Sequence, residues 1–248
     1  MDLIHLLIIF AVGFIAGSFG ALVGGGGLIT IPTLILLGLP PHTAIGTNRL
    51  GVIGMAVAGW YQFGKKGMIN YEIGYTVALP ALMGSILGAN LVLKINEAIL
   101  KQVIAVMTIL ILVFIVSKPK MGIQKSKHQI KTYEYLIGGL LSFFIFIYSG
   151  FYGAGTGALL TYVLILLLGQ TFLESAATRK IAQLISTVMA SIVFAISGVI
   201  SYPLGAALLI GCFIGSYVGA HFSDRIGNIW LKRLFFVIVL IMAIKLMM

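Results

Sequence analysis

Two glycine runs and two polar clusters are the residues of this chain best suited to chemistry. Gly24-Gly25-Gly26-Gly27 and Gly153-Ala154-Gly155-Thr156-Gly157 interrupt long apolar stretches, and a short apolar piece follows each directly. A helix that restarts after such a break aims its free N-terminal amides back at it, which makes an anion site out of backbone alone. Some 20 residues after each break stands a polar cluster, Gly46-Thr47-Asn48-Arg49 and Ala177-Thr178-Arg179-Lys180, near the start of the next long apolar span. Arg and Lys offer positive charge, and Thr and Asn add hydrogen bonds to anion oxygens. The candidate anion contacts are therefore Gly24, Gly25, Gly26, Gly27, Thr47, Asn48, Arg49, Gly155, Thr156, Gly157, Thr178, Arg179 and Lys180. A plainer reading stays open beside this one. Glycines also pack membrane helices closely, and Arg49, Arg179 and Lys180 at an interface would only snorkel and set topology.

The elements that must position these residues are set by composition. Of 248 residues 60% are hydrophobic and 9% charged, with a mean hydropathy of +1.13, against about 25% charged in a soluble domain. A fold of this size would lack the polar surface to face water, so the chain is an integral membrane protein. The net charge of +10 comes from 16 Lys and Arg in short clusters between apolar runs. Membrane proteins place cytoplasmic charge in this way, whereas nucleic-acid binders spread a basic face over a soluble fold. The single cysteine, Cys212, excludes an intrachain disulfide. Met1-Asp2-Leu3 carries no positive charge ahead of its apolar stretch, which reads as a retained first helix and not as a cleaved signal.

One offset of 131 residues relates the two halves without a gap. Gly24, Gly26, Leu28, Thr30, Leu36, Gly38 and Thr47 recur as Gly155, Gly157, Leu159, Thr161, Leu167, Gly169 and Thr178. Downstream, Gly67, Tyr71 and Gly74 fall on Gly198, Tyr202 and Gly205, and Gly84-Ser85-x-x-Gly88-Ala89 falls on Gly215-Ser216-x-x-Gly219-Ala220.

Each half parses alike: an apolar stretch, the glycine break, a short piece (28–38; 158–168), then three full spans (44–63, 71–93, 98–116; 175–197, 202–222, 228–247). The short pieces, at 1.5 Å per residue, cover about half of a roughly 30 Å core. Counting each broken segment as one crossing divides the Lys and Arg evenly between the two sides. Folding it back on itself leaves only Arg49, Lys94, Lys101 and Lys245 opposite all the others. That bias fits the positive-inside rule with Lys65, Lys66 and the central linker in the cytoplasm and both termini outside. The expected fold is an all-α polytopic membrane protein of two inverted repeats, each a glycine-broken re-entrant first helix pair plus three full spans, eight long hydrophobic segments in total. Its parts are a first transmembrane repeat (1–116), a basic cytoplasmic linker (117–133) and a second repeat (134–248).

Catalytic constellations are missing. His5, His42, His128 and His221 have no metal-ligand spacing, no acids are paired, and neither cofactor nor metal is expected. His42, beside Pro40-Pro41, reads as a solvated loop residue. The acids Asp2, Glu72, Glu97, Glu134, Glu174 and Asp224 all fall near span ends. Trp60, Tyr61, Tyr71, Tyr202 and Trp230 suit an interfacial belt.

Gly13-x-x-x-Gly17-x-x-Gly20 leading into Gly24-Gly25-Gly26-Gly27, then Pro32, Gly38, Ala44 and Gly46-Thr47-Asn48, with the weaker copy Gly150 to Gly157, Gly169 and Thr178-Arg179-Lys180, resembles the TauE/SafE sulfite-exporter family of permeases. The likeness covers nearly the whole chain. It implies a multi-pass transporter of the bacterial or archaeal inner membrane for small sulfur anions such as sulfite, sulfonates or sulfoacetate. The second copy departs from the first, with Thr156 for Gly25, Arg179 for Asn48 and Val163 for Pro32, so the halves cannot contribute identically. A secondary transporter working by alternating access is the first expectation, with proton-motive drive left open and no nucleotide-binding segment in the chain. A passive anion channel on the same scaffold and a membrane scaffold subunit are the alternatives. The expected partners are a small anion and the bilayer, no nucleic acid, with a homodimer left open.

Overall fold

The computed structural model describes residues 3–117 and 130–223. These form nine helices, among the described residues: α1 (Leu3–Leu22), α2 (Gly27–Leu36), α3 (Pro41–Lys65), α4 (Tyr71–Val92), α5 (Glu97–Ser117), α6 (Thr132–Phe151), α7 (Thr156–Leu166), α8 (Phe172–Ile196) and α9 (Tyr202–His221). The expected spans and short pieces that fall within the described residues each coincide with one of them. The last span (228–247), most of the linker (118–129), His128 and Trp230 lie outside the described residues.

The boundaries have local causes. α1 ends at its glycine run, where Gly24 takes φ +83°, and α7 starts after Gly155 at φ +79°, conformations only glycine adopts without strain. α4 is capped by Asn70, whose Oδ1 accepts from the Ile73 amide at 3.1 Å. α8 is capped by Thr171 and Glu174 in a reciprocal box. Glu72, Glu97, Glu134 and Glu174 stand in the first turns of α4, α5, α6 and α8, where negative charge complements the helix dipole.

Five helices, α1, α4, α6, α8 and α9, are long and apolar enough to cross a membrane. Leu79, Met83, Leu136, Leu140 and Phe144 are exposed on α4 and α6, as a lipid-facing surface requires. α3 is less apolar because it is central: it packs between α8 and α9 and buries Thr47, Asn48, Arg49 and Gln62.

Close helix approach is encoded by glycines at every fourth position. On α9, Gly211, Gly215 and Gly219 meet the carbonyls of Phe10, Phe14 and Ser18 on α1. On α4, Gly84 and Gly88 meet those of Phe143 and Ile147 on α6. An added methyl at any of these sites would strike backbone, so the helices touch main chain to main chain. The Gly-Ser-x-x-Gly-Ala blocks of the repeat are these crossing points. α1 pairs with α9 and α6 with α4, so each half lends its first helix to the other half.

Hydrogen bonds at the helix ends set the relative directions. Thr47 near the start of α3 meets Ser201 at the start of α9, and Lys66 at the end of α3 reaches His221 at the end of α9. Thr178 near the start of α8 meets Asn70 at the start of α4. Gly59 near the end of α3 packs on Lys180 near the start of α8, and Gly46 near the start of α3 packs on Phe194 near the end of α8, so α8 runs opposite to its counterpart α3. His42 corrects an expectation. It is buried in the first turn of α3, with Nε2 2.9 Å from the Val92 carbonyl and Nδ1 3.4 Å from Glu97, and so ties three helix ends together.

Candidate functional site

Both broken helices turn back at the centre of the molecule. α2 runs antiparallel to α3, beginning where Gly26 packs on Met55 and passing Asn48, whose Oδ1 accepts from Thr30 at 2.5 Å. α7 repeats this against α8, with Thr161 beside Arg179. The two breaks are in direct contact, since a Cβ on Gly157 would lie 2.7 Å from the Gly24 Cα. A side chain at either position would force the halves apart.

Each break ends a helix with unpaired carbonyls, and an arginine from the opposite half captures them. Arg179 Nη2 donates to the carbonyls of Gly20, Ala21 and Leu22 at 3.2, 3.0 and 3.1 Å, closing the end of α1. Its Nη1 donates to the Gly157 carbonyl at 2.6 Å and to Thr161 Oγ1 at 2.9 Å. Arg49 Nη2 donates to the carbonyls of Ser149 and Gly150 at 2.6 and 3.1 Å, closing the end of α6. Its guanidinium also stands 5.7 Å from the centre of the buried Phe194 ring. The end of a helix is its negative pole, so these contacts hold the charges in place. They do not neutralise them, and among the described residues no carboxylate is paired with either guanidinium. Both Nε groups are buried without a hydrogen-bond partner.

One cavity of about 30 Å³, room for about two waters, lies between these groups. Gly24, Gly26 and Gly27 line it from the first break, and Gly153, Thr156 and Gly157 from the second. Arg49 and Arg179 line it from α3 and α8. The first turns of α2 and α7 face it with the positive ends of their dipoles, although the amides of Leu28, Ile29, Thr156 and Ala158 already donate to the carbonyls of Gly25, Gly26, Gly153 and Gly155. The arrangement offers two guanidiniums and two helix N-termini to a small anion.

The structure also adds residues that reading the sequence missed. Gln183, Ser186 and Thr187 line the cavity from α8, four, seven and eight residues after Arg179 and hence on its helical face. Helical periodicity from Arg179 would have found them. Their counterparts 131 residues earlier are Val52, Met55 and Ala56, of which Val52 and Met55 line the cavity from α3. The polar wall belongs to one half only. Ser149 also lines the cavity, and nothing in the sequence singled it out.

The remaining expected contacts lie elsewhere. Thr47 Oγ1 accepts from the Ser201 amide at 2.9 Å, and Thr178 Oγ1 accepts from the Asn70 amide at 3.1 Å and from Gln170 Nε2 at 3.0 Å. Each threonine thus fastens the start of a helix in the other half. Asn48 is taken up by Thr30. Gly25 accepts from the Leu28 amide, and Gly155 packs on Ile111. None of these lines the cavity, because their side of α3, α8 or the break faces a neighbouring helix. Lys180 is fully buried one position from Arg179. Its stem lies along Gly59, and Nζ reaches Gln183 Oε1 at 3.4 Å.

Comparison with known proteins agrees with this architecture. A probable membrane transporter protein of Haemophilus influenzae is 32% identical over 241 residues, 97% of this chain and 93% of its own. A probable membrane transporter protein of Sinorhizobium sp is 30% identical, covering 98% and 93% of the two chains. The probable membrane transporter protein YfcA of Escherichia coli is 24% identical, covering 97% and 88%. No solved structure matches the chain. The family model of the sulfite exporter TauE/SafE matches residues 9–246, nearly the entire length, and this multi-pass membrane protein belongs to that family of transporters.

Proposed function

We propose that this chain is a secondary transporter of small sulfur-containing anions, of the sulfite, sulfonate or sulfoacetate class, that works by alternating access. The observation that carries the reading is the central cavity: two buried guanidiniums that, among the described residues, have no carboxylate paired to them and no partner for Nε, between two helix N-termini. Uncompensated buried charge is costly, and a small anion between Arg49 and Arg179 removes that cost. Discontinuous helices in corresponding places of two halves are where secondary transporters bind. The opposed directions of α3 and α8, and the exchange of first helices between halves, support inverted repeats about an axis in the membrane plane. Rocking of one half against the other then exposes the cavity to each side in turn. Charge bias places Lys65, Lys66 and the linker on the cytoplasmic face of the inner membrane.

Counterflow of radiolabelled sulfite in proteoliposomes tests this reading, with unlabelled sulfite, sulfoacetate, taurine, sulfate or chloride loaded inside. Saturable exchange driven by sulfur anions and lost in Arg179→Gln is the expected result. Absence of exchange with every anion would refute the carrier, and large unitary currents would replace it with a channel.

A further inference from the structure

Lys180 is a fully buried amine that does not line the anion cavity. No part of it reaches solvent, and its Nζ has one polar partner, Gln183 Oε1 at 3.4 Å. The groups around it offer no neutralising charge. On α8 the ionisable groups are Arg179 and Glu174, whose Oε2 is held by Thr171, and on α3 they are His42, Arg49, Tyr61, Lys65 and Lys66. α4 carries Tyr71, Glu72 and Tyr75, α6 carries Tyr133, Glu134, Tyr135 and Tyr148, and α9 carries Tyr202, Cys212, Tyr217 and His221, the last beside Gln62. None of them forms a hydrogen bond or an ion pair with Lys180 among the described residues. Its stem is held in a slot that Gly59 makes, where a Cβ would lie 2.7 Å from Cε.

Gln183 joins this amine to the cavity. Its Oε1 accepts from Lys180, while its Nε2 has only Met55 Sδ at 4.0 Å, a weak acceptor. The same side chain lines the cavity, so its Nε2 is available to an anion there. With the cavity empty, a third positive charge beside two fixed guanidiniums is repelled. An anion in the cavity offsets part or all of that repulsion, and the amine is then more readily held as the ammonium.

We propose that Lys180 is a proton-binding site coupled through Gln183 to the anion cavity, so that one proton is taken up with each anion bound. It rests on the anion-transport reading above and adds the coupling ion. Lys180 Nζ takes one proton from the buffered medium while the cavity is open to one side for the anion to enter, and returns it to the medium as the anion leaves. Because the two bind cooperatively, each raises the affinity for the other by the same factor.

The test is calorimetric titration of the purified, detergent-solubilised protein with methanesulfonate, which stays ionised throughout, at several pH values and in two buffers of different ionisation heat. Wild type should take up about one proton per anion, and its affinity should fall towards tenfold per pH unit as the pH rises. Lys180→Met and Lys180→Arg, each checked as a single peak on size exclusion, should bind methanesulfonate with a pH-independent affinity and no linked proton. Wild-type binding without proton uptake overturns the proposal, as does a variant that keeps the wild-type slope. The wild-type slope decides by itself if neither variant purifies. No binding heat in wild type overturns the anion reading, and the coupling with it.

Discussion

Arg179 Nη1 donates to Thr161 Oγ1 at 2.9 Å, tying the middle of α7 to α8. At the matching place in the first half Thr30 donates to Asn48 Oδ1 at 2.5 Å, tying α2 to α3. The joint is the same, yet one half builds it from a cation and the other from a neutral amide. The first half supplies its guanidinium one residue later, from Arg49, which reaches across to α6. Charge symmetry at the cavity is thereby kept with unequal residues.

Removing either guanidinium should weaken anion exchange. A hydrogen bond to a charged group contributes about 1.5–3 kcal/mol, which is roughly 10- to 100-fold in affinity. Arg179→Gln should fall in or beyond that range in sulfite counterflow. Because Arg179 also closes α1, its thermal midpoint should drop more than that of Arg49→Gln, which frees fewer carbonyls.

Thr47 and Thr178 should behave as structural residues. Thr47→Val strands the Ser201 amide, and Thr178→Val strands the Asn70 amide and the Gln170 side chain. An unsatisfied buried donor costs about 1–3 kcal/mol, which applies to the buried Gln170 side chain, while the part-buried Ser201 and Asn70 amides cost less. Lower midpoints on heated size exclusion, larger for Thr178→Val, should accompany an unchanged half-saturation for sulfite exchange. A raised half-saturation would return them to the binding site.

The glycine crossings should tolerate no side chain. Gly88→Val and Gly219→Val would drive a side chain into the Ile147 and Ser18 carbonyls. Overpacking costs about 1–3 kcal/mol where side chains can yield, and backbone cannot. Neither variant should give a monodisperse peak, whereas Gly139→Ala, whose nearest neighbour would be 3.7 Å away, should.

Orientation is open to cysteine labelling because the native Cys212 is buried. Lys65→Cys and Lys94→Cys place thiols at opposite ends of the bundle, both at exposed positions. In intact cells a membrane-impermeant maleimide should label Lys94→Cys and leave Lys65→Cys unmodified. The reverse pattern would invert the topology.

The polar wall on α8 should control selectivity. Gln183→Val copies the first half's Val52 into the second. It should lower sulfite affinity several-fold and remove the linked proton. Val52→Ala, which trims only the apolar wall, should leave both intact.

Class, repeat and element boundaries were legible in the residues because each rests on short-range physics. Apolar runs long enough for a bilayer, glycines that interrupt them and a single constant offset need no knowledge of neighbours, and α1 to α9 fall where these signals place them. Arg49, Arg179 and the two breaks, which their residue types singled out, meet at one cavity. What each polar side chain does was decided by packing. Thr47 and Thr178 carry the same hydroxyl wherever they point, and only the approach of Ser201 and Asn70 from the other half turns them into fasteners. Gln183, Ser186 and Thr187 become cavity residues because α8 turns the face of Arg179 inward. His42 becomes a buried tie because the ends of α4 and α5 close over it. Contacts between residues more than 100 positions apart depend on how two halves dock, and local propensity holds no record of that.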